Sequence, residues 1–291
     1  MNQSLKAAYR ECTRLTRSRA KNFYYAFLSL PRRKRRAIYA VYAFCRQADD
    51  IADSAGEIPA KRFALEKLRV RLQQAATGVS QCAADLALAD AITRFTIEPC
   101  DLAHVIDGVE LDLTVSRYAD FEELSRYCHL VASAVGLAVL PILCDGHKGR
   151  VITQQDRDLA TTLGIGMQLV NIVRDVREDI ARDRIYLPRE DLEGFDVTED
   201  DLRKAEASKT LRKLVAFESV RARKFLREGE GLLTRLPRRS RGCPALLTTL
   251  YSRILDQIRQ HDYDVLTVRV SLSTWEKVCL MLRTWEKALL R

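Results

Sequence analysis

The sequence predicts a single all-α domain spanning residues 1–291. Three observations lead there. Apolar residues recur at three- and four-residue steps through most of the chain. Strand-like alternation is almost absent, and Gly and Pro gather in short clusters between the periodic segments. With 47% hydrophobic residues the chain can bury a large core.

In order, the periodicity predicts helices over 33–53, 61–76, 83–96, 120–140, 153–181, 199–234 and 244–265. The breaks fall at Gly56 to Pro59, Pro99, Gly146 to Gly149, Pro188 to Gly194 and Pro237 to Pro244. No segment has the composition of a linker. STWEK at 273 and RTWEK at 283 echo each other, but two short matches reflect helix composition rather than a repeat. The longest apolar run, LVASAVGLAVLPIL (130–143), contains Pro141. It falls short of the ~20 residues that a membrane-spanning helix needs. The polar start MNQSLKAAYRECTR lacks an apolar stretch with a cleavage site, so a soluble cytoplasmic protein is expected.

Eight cysteines form no C-x-x-C pair and several sit in apolar helical stretches. Reduced, buried thiols are expected. His104, His129, His147 and His261 show no ligand spacing with them, which argues against zinc. His129 reads as a packed or capping residue rather than a base.

The net charge of +9 suits nucleic acid, an anionic membrane surface or an anionic small substrate. PRRKRR (31–36) reads as a solvated helix start, the alternative being contact with anionic lipid headgroups at the inner face of a membrane. A non-catalytic basic module would gather its cations on one face. Here 48 Lys and Arg are scattered among 39 acids, which argues against nucleic acid.

Acid on an apolar helix is the unexpected feature. YAVYAFCRQADDIAD (39–53) looks like a core helix, yet it ends in three aspartates. Each helical residue advances by about 100°. Asp49 and Asp53 are thus neighbours, with Arg46 and Tyr42 on the same side, while Asp50 points away. Like charges at this spacing repel unless a cation sits between them, and hard oxygen ligands suit Mg²⁺. The plain alternative is a solvated helix end. A second cluster, GIGMQLVNIVRDVREDIARDRIYLP (164–188), shifts the balance. Gln168, Asn171, Asp175 and Asp179 form one stripe within roughly 80° of arc, flanked by Arg174 and Glu178. Gly164 and Gly166 would let a helix or a substrate come close. GIG lacks the third glycine and the preceding strand of a dinucleotide site. Two aspartate helices facing each other could hold several Mg²⁺ ions and a diphosphate between them.

These residues resemble the squalene and phytoene synthase family, the head-to-head prenyltransferases. The likeness runs from about residue 18 to 270 and rests on YAFCR, DDIAD, QLVNIVRDVREDIARDRIYLP and YCHLVASAVG (127–136). It implies the isoprenoid-synthase helical bundle around a central cavity. It implies Asp49, Asp50, Asp53, Asn171, Asp175 and Asp179 as the metal set, with Asp50 part of the motif but turned aside from Asp49 and Asp53. Mg²⁺ is the implied ion, with Mn²⁺ as a substitute. Lys21, Arg46 and Arg174 match diphosphate-contacting positions, with Asn22 at a usual serine place. Phe23, Tyr42 and Tyr251 match positions beside the prenyl chains, Gln168 a cavity position near the metals, and Tyr127 a tyrosine of the cyclopropylcarbinyl chemistry. Tyr127, Arg46 and Arg174 are accordingly the catalytic candidates. Ala20 stands where a serine is frequent, and Val268 stands where an arginine is frequent, with Arg269 one residue later.

The wording of NFYYAF and YAVYAFCRQADDIAD is most like bacterial presqualene diphosphate synthases. Two farnesyl diphosphates are the expected substrates, with presqualene diphosphate or squalene as product. The alternative is a phytoene synthase taking two geranylgeranyl diphosphates. No nucleotide-binding fingerprint is present, so NADPH is not expected to be required. The sequence leaves oligomeric state open.

Overall fold

A computed structural model describes residues 3–146, 151–273, 275–277 and 279–281; the side chains of Lys21 and Asn22 lie outside that description. The described residues contain helices and connecting turns, with an isolated bridge between Arg117 and Ile185 as their β-type pairing. The N-terminal half comprises α1 (Gln3–Arg19), α2 (Lys21–Leu28), α3 (Arg32–Asp53), α4 (Ile58–Ala76), α5 (Ala83–Phe95), α6 (Pro99–Leu111) and α7 (Phe121–Cys128). A π-helical turn, His129–Ser133, joins α7 to α8 (Ala134–Leu143). Then come α9 (Gln154–Arg174), α10 (Val176–Ile180), α11 (Arg189–Gly194), α12 (Glu199–Leu202), α13 (Lys209–Gly229), α14 (Gly231–Arg235) and α15 (Arg238–Gln260).

Two helices organise the rest. α3 packs against α1, α5, α6 and α8, and α9 packs against α13, α8, α15 and the π-helical turn. Each ends in acid: Asp49, Asp50 and Asp53 in the last turn of α3, and Asp175 at the C-terminal cap of α9. α9 starts at a capping box, in which Thr153 and Asp156 each accept the other's backbone N–H. Glycines then set its depth. A β-carbon at Gly164 would lie 2.6 Å from Cα of Ser133, and one at Gly166 would lie 2.8 Å from the backbone N of Leu226. Those glycines therefore serve helix-to-helix contact, and Gly164 also lines a cavity.

Several boundaries differ from the periodicity. Pro99 is not a break but the first residue of α6, where its fixed φ is pre-organised and its missing N–H costs nothing. The segment 153–181 is two helices, parted at Asp175 (φ −102, ψ 15). The segment 199–234 is three. α1, rich in Arg, and the short α2 escape the apolar pattern altogether. Phe121–Leu143 forms 23 continuous helical residues and is long and apolar enough to cross a membrane by length and composition. Its apolarity has another cause, because its α8 part lies against α3, α6 and α9. Cys12, Cys45, Cys128, Cys144 and Cys243 are buried as expected, whereas Cys82 and Cys100 are exposed.

Lys34, read as solvated, is 4% exposed. Its ammonium donates to O of Leu143 (2.9 Å) and Oγ of Ser240 (2.7 Å), and pairs with Asp145 at 2.8 Å. A buried charge so fully partnered ties α3, α8 and α15 at one corner.

Gly164→Ala tests the helix contact. Forcing a β-carbon onto backbone costs about 1–3 kcal/mol, which outweighs the gain of up to about 1 kcal/mol in helix propensity. A lowered urea midpoint at unchanged m-value is expected. An equal or higher midpoint would show that the contact is slack.

Candidate active site

Between α8, α9, α15 and α2 lies a cavity of about 220 Å³. Its wall is apolar: Val131, Val135, Val139, Leu163 and Met167 on one side, Phe23, Phe27 and Leu247 on the other. Phe23 stacks on Phe27 at 6.1 Å between centroids and lies 6.3 Å from Tyr251. Polar character enters at one edge, through Gln168 and Asn171, whose amides bond at 3.2 Å.

The same stripe of α9 leads from that edge into charge. Nε of Arg174 donates to Oδ1 of Asp175 at 2.9 Å, and its NH2 group grips the other oxygen. Arg269 reaches in from beyond α15, to Asp175 at 3.2 Å and to Glu178 at 3.0 Å. Those cations hold the Asp175 carboxyl below the usual range, against desolvation. Asp179 is pushed up to about 7 by burial and then by the neighbouring charge of Asp175. Oε2 of Glu178 is buried without a hydrogen-bond partner.

The first cluster occupies the last turn of α3, where the helix dipole disfavours acids. Burial, partly offset by Arg46, pushes Asp49 up to about 6, with Asp53 and Asp50 adding to the rise. Arg46 grips Asp50 one turn on and lies 4.0 Å from Asp49. Asp53 faces the second cluster, 3.9 Å from NH1 of Arg182. Arg184 feels the charge of both Asp53 and Asp112, and also lowers Asp179, so it links the two acid groups.

Phe23, Gln168, Asn171 and Tyr251 thus line the cavity, and Arg174, Asp175 and Asp179 continue from its polar edge. Asp49 and Asp53 stand opposite, outside the cavity wall. Asp50 is exposed and held by Arg46, because position i+4 brings it nearer that guanidinium than Asp49. Tyr42 is half-buried beside Arg46 and Asp49, not in the cavity wall. Tyr127 is buried away from the wall, in a cluster with Tyr118 and Tyr186. The calls on Lys21 and Asn22 rest on side chains outside the described residues. Sequence reasoning gave no role to Arg184, Asp112 and Tyr186, and named Arg269 only as the neighbour of position 268, where an arginine is frequent. Asp112 lies outside the motifs quoted from the sequence.

Hard oxygen donors, an orphaned Glu178 oxygen and two carboxyls strained by like charge fit a divalent cation. Among the described residues no three His, Cys, Asp or Glu converge closely enough to enclose one ion. A cation held here would take further ligands from substrate or water.

The raised carboxyls give a pH signature. The folded state holds protons at Asp49 and Asp179 that the unfolded chain releases near pH ~4. Their contribution to stability is complete below that value and is lost as pH rises through about 6 and about 7. Without divalent cation, melting temperature should fall across that window. Asp179→Asn should flatten the slope, and Mg²⁺ should protect most at the alkaline end. A slope unchanged by Asp179→Asn, read by calorimetry, would refute the assignment.

Comparison with known proteins bears on the same residues. The squalene/phytoene synthase model matches residues 16–276. The 15-cis-phytoene synthase of Synechococcus elongatus is 36% identical over 282 residues, covering 95% of this chain and 92% of that protein. The chloroplastic phytoene synthase 1 of Zea mays is 34% identical, covering 98% and 70%. Among solved structures, a dehydrosqualene synthase in complex with ligand has a TM-score of 0.89 at 28% identity, covering 99% of both chains. A squalene synthase from Alicyclobacillus acidocaldarius has a TM-score of 0.83 at 31% identity, covering 90% and 97%. The family depends in general on divalent metal. With an apolar cavity running into paired acids and arginines, the chain belongs to the squalene/phytoene synthase family and is a prenyltransferase that condenses two prenyl diphosphates head to head.

Proposed function

We propose that the substrates are two farnesyl diphosphates and the product presqualene diphosphate, formed with Mg²⁺ and without NADPH. Mn²⁺ would substitute as another hard divalent ion. One observation carries the placement: the apolar cavity has a polar edge, Gln168 and Asn171, on the same stripe as Asp175 and Asp179. Prenyl tails then lie along Phe23, Val135, Leu163 and Tyr251, with diphosphate at the stripe. Asp49, Asp53, Asn171, Asp175 and Asp179 would hold Mg²⁺, and Asp50 would steady Arg46 rather than bind metal. When bound, Mg²⁺ supplies Lewis-acid neutralisation of the departing diphosphate.

The chain's own residues do the rest. Arg174 and Arg269 already converge on Asp175, and Arg46 lies opposite; an anionic diphosphate competes for these forks. The apolar wall holds both chains together and keeps water from the allylic cation. Tyr127 serves the proton loss that closes the cyclopropane.

The structural neighbours support farnesyl chains, since they are a dehydrosqualene synthase and a squalene synthase. The curated relatives support a second reading, phytoene synthase with two geranylgeranyl diphosphates. Incubation with each diphosphate, with and without NADPH, followed by product chromatography, separates them. Presqualene diphosphate from farnesyl diphosphate alone is expected. Asp49→Asn and Asp175→Asn should each lower turnover by ~100-fold or more, as for loss of a group stabilising departing charge. Undiminished turnover would remove them from the site.

We place the enzyme in the cytoplasm, attached peripherally to the inner face of the membrane. Two helix starts support this. Pro31-Arg32-Arg33-Lys34 and Pro237-Arg238-Arg239-Ser240 lie side by side, joined by the Lys34–Ser240 hydrogen bond. Neither has an acid in its first turn, although the helix dipole favours one there. Arg32, Arg238 and Arg239 are exposed and make no ion pair among the described residues. The adjoining Leu143, Cys243 and Pro244 line the cavity's apolar end. Co-sedimentation with phosphatidylglycerol vesicles should exceed that with phosphatidylcholine and fall with salt and with R238E/R239E. Equal binding to both vesicles would overturn the placement.

A further inference from the structure

Asp112 caps the C-terminal end of α6, the dipole end that disfavours a carboxylate. Two tyrosines occupy its two oxygens. The Tyr127 hydroxyl donates to Oδ2 at 3.1 Å, and the Tyr186 hydroxyl donates to Oδ1 at 2.9 Å. The two hydroxyls are 3.3 Å apart and their rings stack at 5.2 Å between centroids. Tyr118 packs against both rings, yet its own buried hydroxyl has no partner. The carboxylate is thus committed to Tyr127 and Tyr186 while the third phenol goes without. Arg184 anchors the loop from the other side, donating to the Asp112 carbonyl at 3.1 Å.

An ionised carboxylate only accepts. Both phenol protons are therefore drawn toward Asp112, whose charged oxygens outcompete the longer 3.3 Å contact from the Tyr127 hydroxyl to that of Tyr186, and the remaining lone pairs of Tyr127 point elsewhere in a fixed direction. Tyr127 lies one turn before Val131, which lines the cavity. We infer that Asp112 is a positioning residue acting through Tyr127, with Tyr186 as its second anchor, and that it fixes the acceptor direction of the Tyr127 oxygen for the coupling half of the reaction. The inference rests on the head-to-head reading of the site and adds to it a residue outside both aspartate motifs.

The test separates ionisation from coupling. Asp112→Asn keeps the shape but must offer an N–H to one phenol, which turns that hydroxyl proton away. Coupled product should fall by about 10- to 100-fold, in the range of a mispositioned proton-transfer group, with KM unchanged. Free prenyl alcohol, the water-quenched fate of an uncoupled cation, should rise relative to coupled product. Tyr127→Phe combined with Asp112→Asn should be no worse than Tyr127→Phe alone. Tyr186→Phe, which keeps the carboxylate, should shift the same ratio less, and it stands in should Asp112→Asn fail to fold. Multiplying defects, an unchanged alcohol-to-product ratio in Tyr186→Phe, or a higher Mg²⁺ requirement in Asp112→Asn would each overturn the inference. Wild-type enzyme that couples neither farnesyl nor geranylgeranyl diphosphate would instead sink the reading on which it rests.

Discussion

Like charge confined beside an apolar cavity is the constraint to which the rest of the structure answers. Asp49, Asp53 and Asp112 on one side and Asp175, Glu178 and Asp179 on the other are too close to be solvated independently, and burial pushes Asp49 and Asp179 upward. Arginines meet this crowd from several elements: Arg46 from α3, Arg174 from α9, Arg182 and Arg184 from the turn after α10, and Arg269 from the C-terminal segment. Each is a fork suited to carboxylate and phosphate alike. A site built so can exchange carboxylate partners for a diphosphate without new side chains arriving.

Holding such a site open requires a frame that does not collapse toward the charges. Buried polar pins supply it away from the cavity. Arg221 joins Asp191 and the buried Glu218 while lying between the rings of Phe121 and Phe217. Asp156 anchors the start of α9 and is met by Arg235 from α14. Arg71 fixes the buried Asp85 at the start of α5. Breaking any one would strand a buried charge, which costs far more than the pair contributes.

How much of this was legible depends on whether the signal was local. The helices with an apolar stripe, such as 83–96 and 61–76, were readable within a few residues. α1 was not, because its exposed face is so basic that the stripe is diluted, and α2 is too short, at eight residues, to show a period. Pro99 misled because the same residue ends one helix pattern and opens another. At the site, the stripe of Gln168, Asn171, Asp175 and Asp179 was legible because one helix carries it. Arg269 and Asp112 were not, since each reaches its partners through tertiary folding: Arg269 contacts Asp175 and Glu178, and Asp112 contacts Tyr127 and Tyr186. No spacing rule relates position 112 to positions 127 and 186.

The break at Asp175 shows why the helical arithmetic held where the helix did not. α9 ends at Arg174 and α10 begins at Val176, and one i to i−4 bond stands on either side of the gap. The N–H of Asp175 donates to O of Asn171 at 2.9 Å, and the N–H of Asp179 donates to O of Asp175 at 2.9 Å. Asp175 and Asp179 stay on the stripe begun by Gln168, while the bend at Asp175 lets Arg174 fold back onto its neighbour's carboxylate. A straight helix would keep adjacent residues about 100° apart and discourage that contact. The second acid cluster is thus a property of the stripe and of its interruption together, and α9 can be cavity wall along its length and ligand-bearing only at its end.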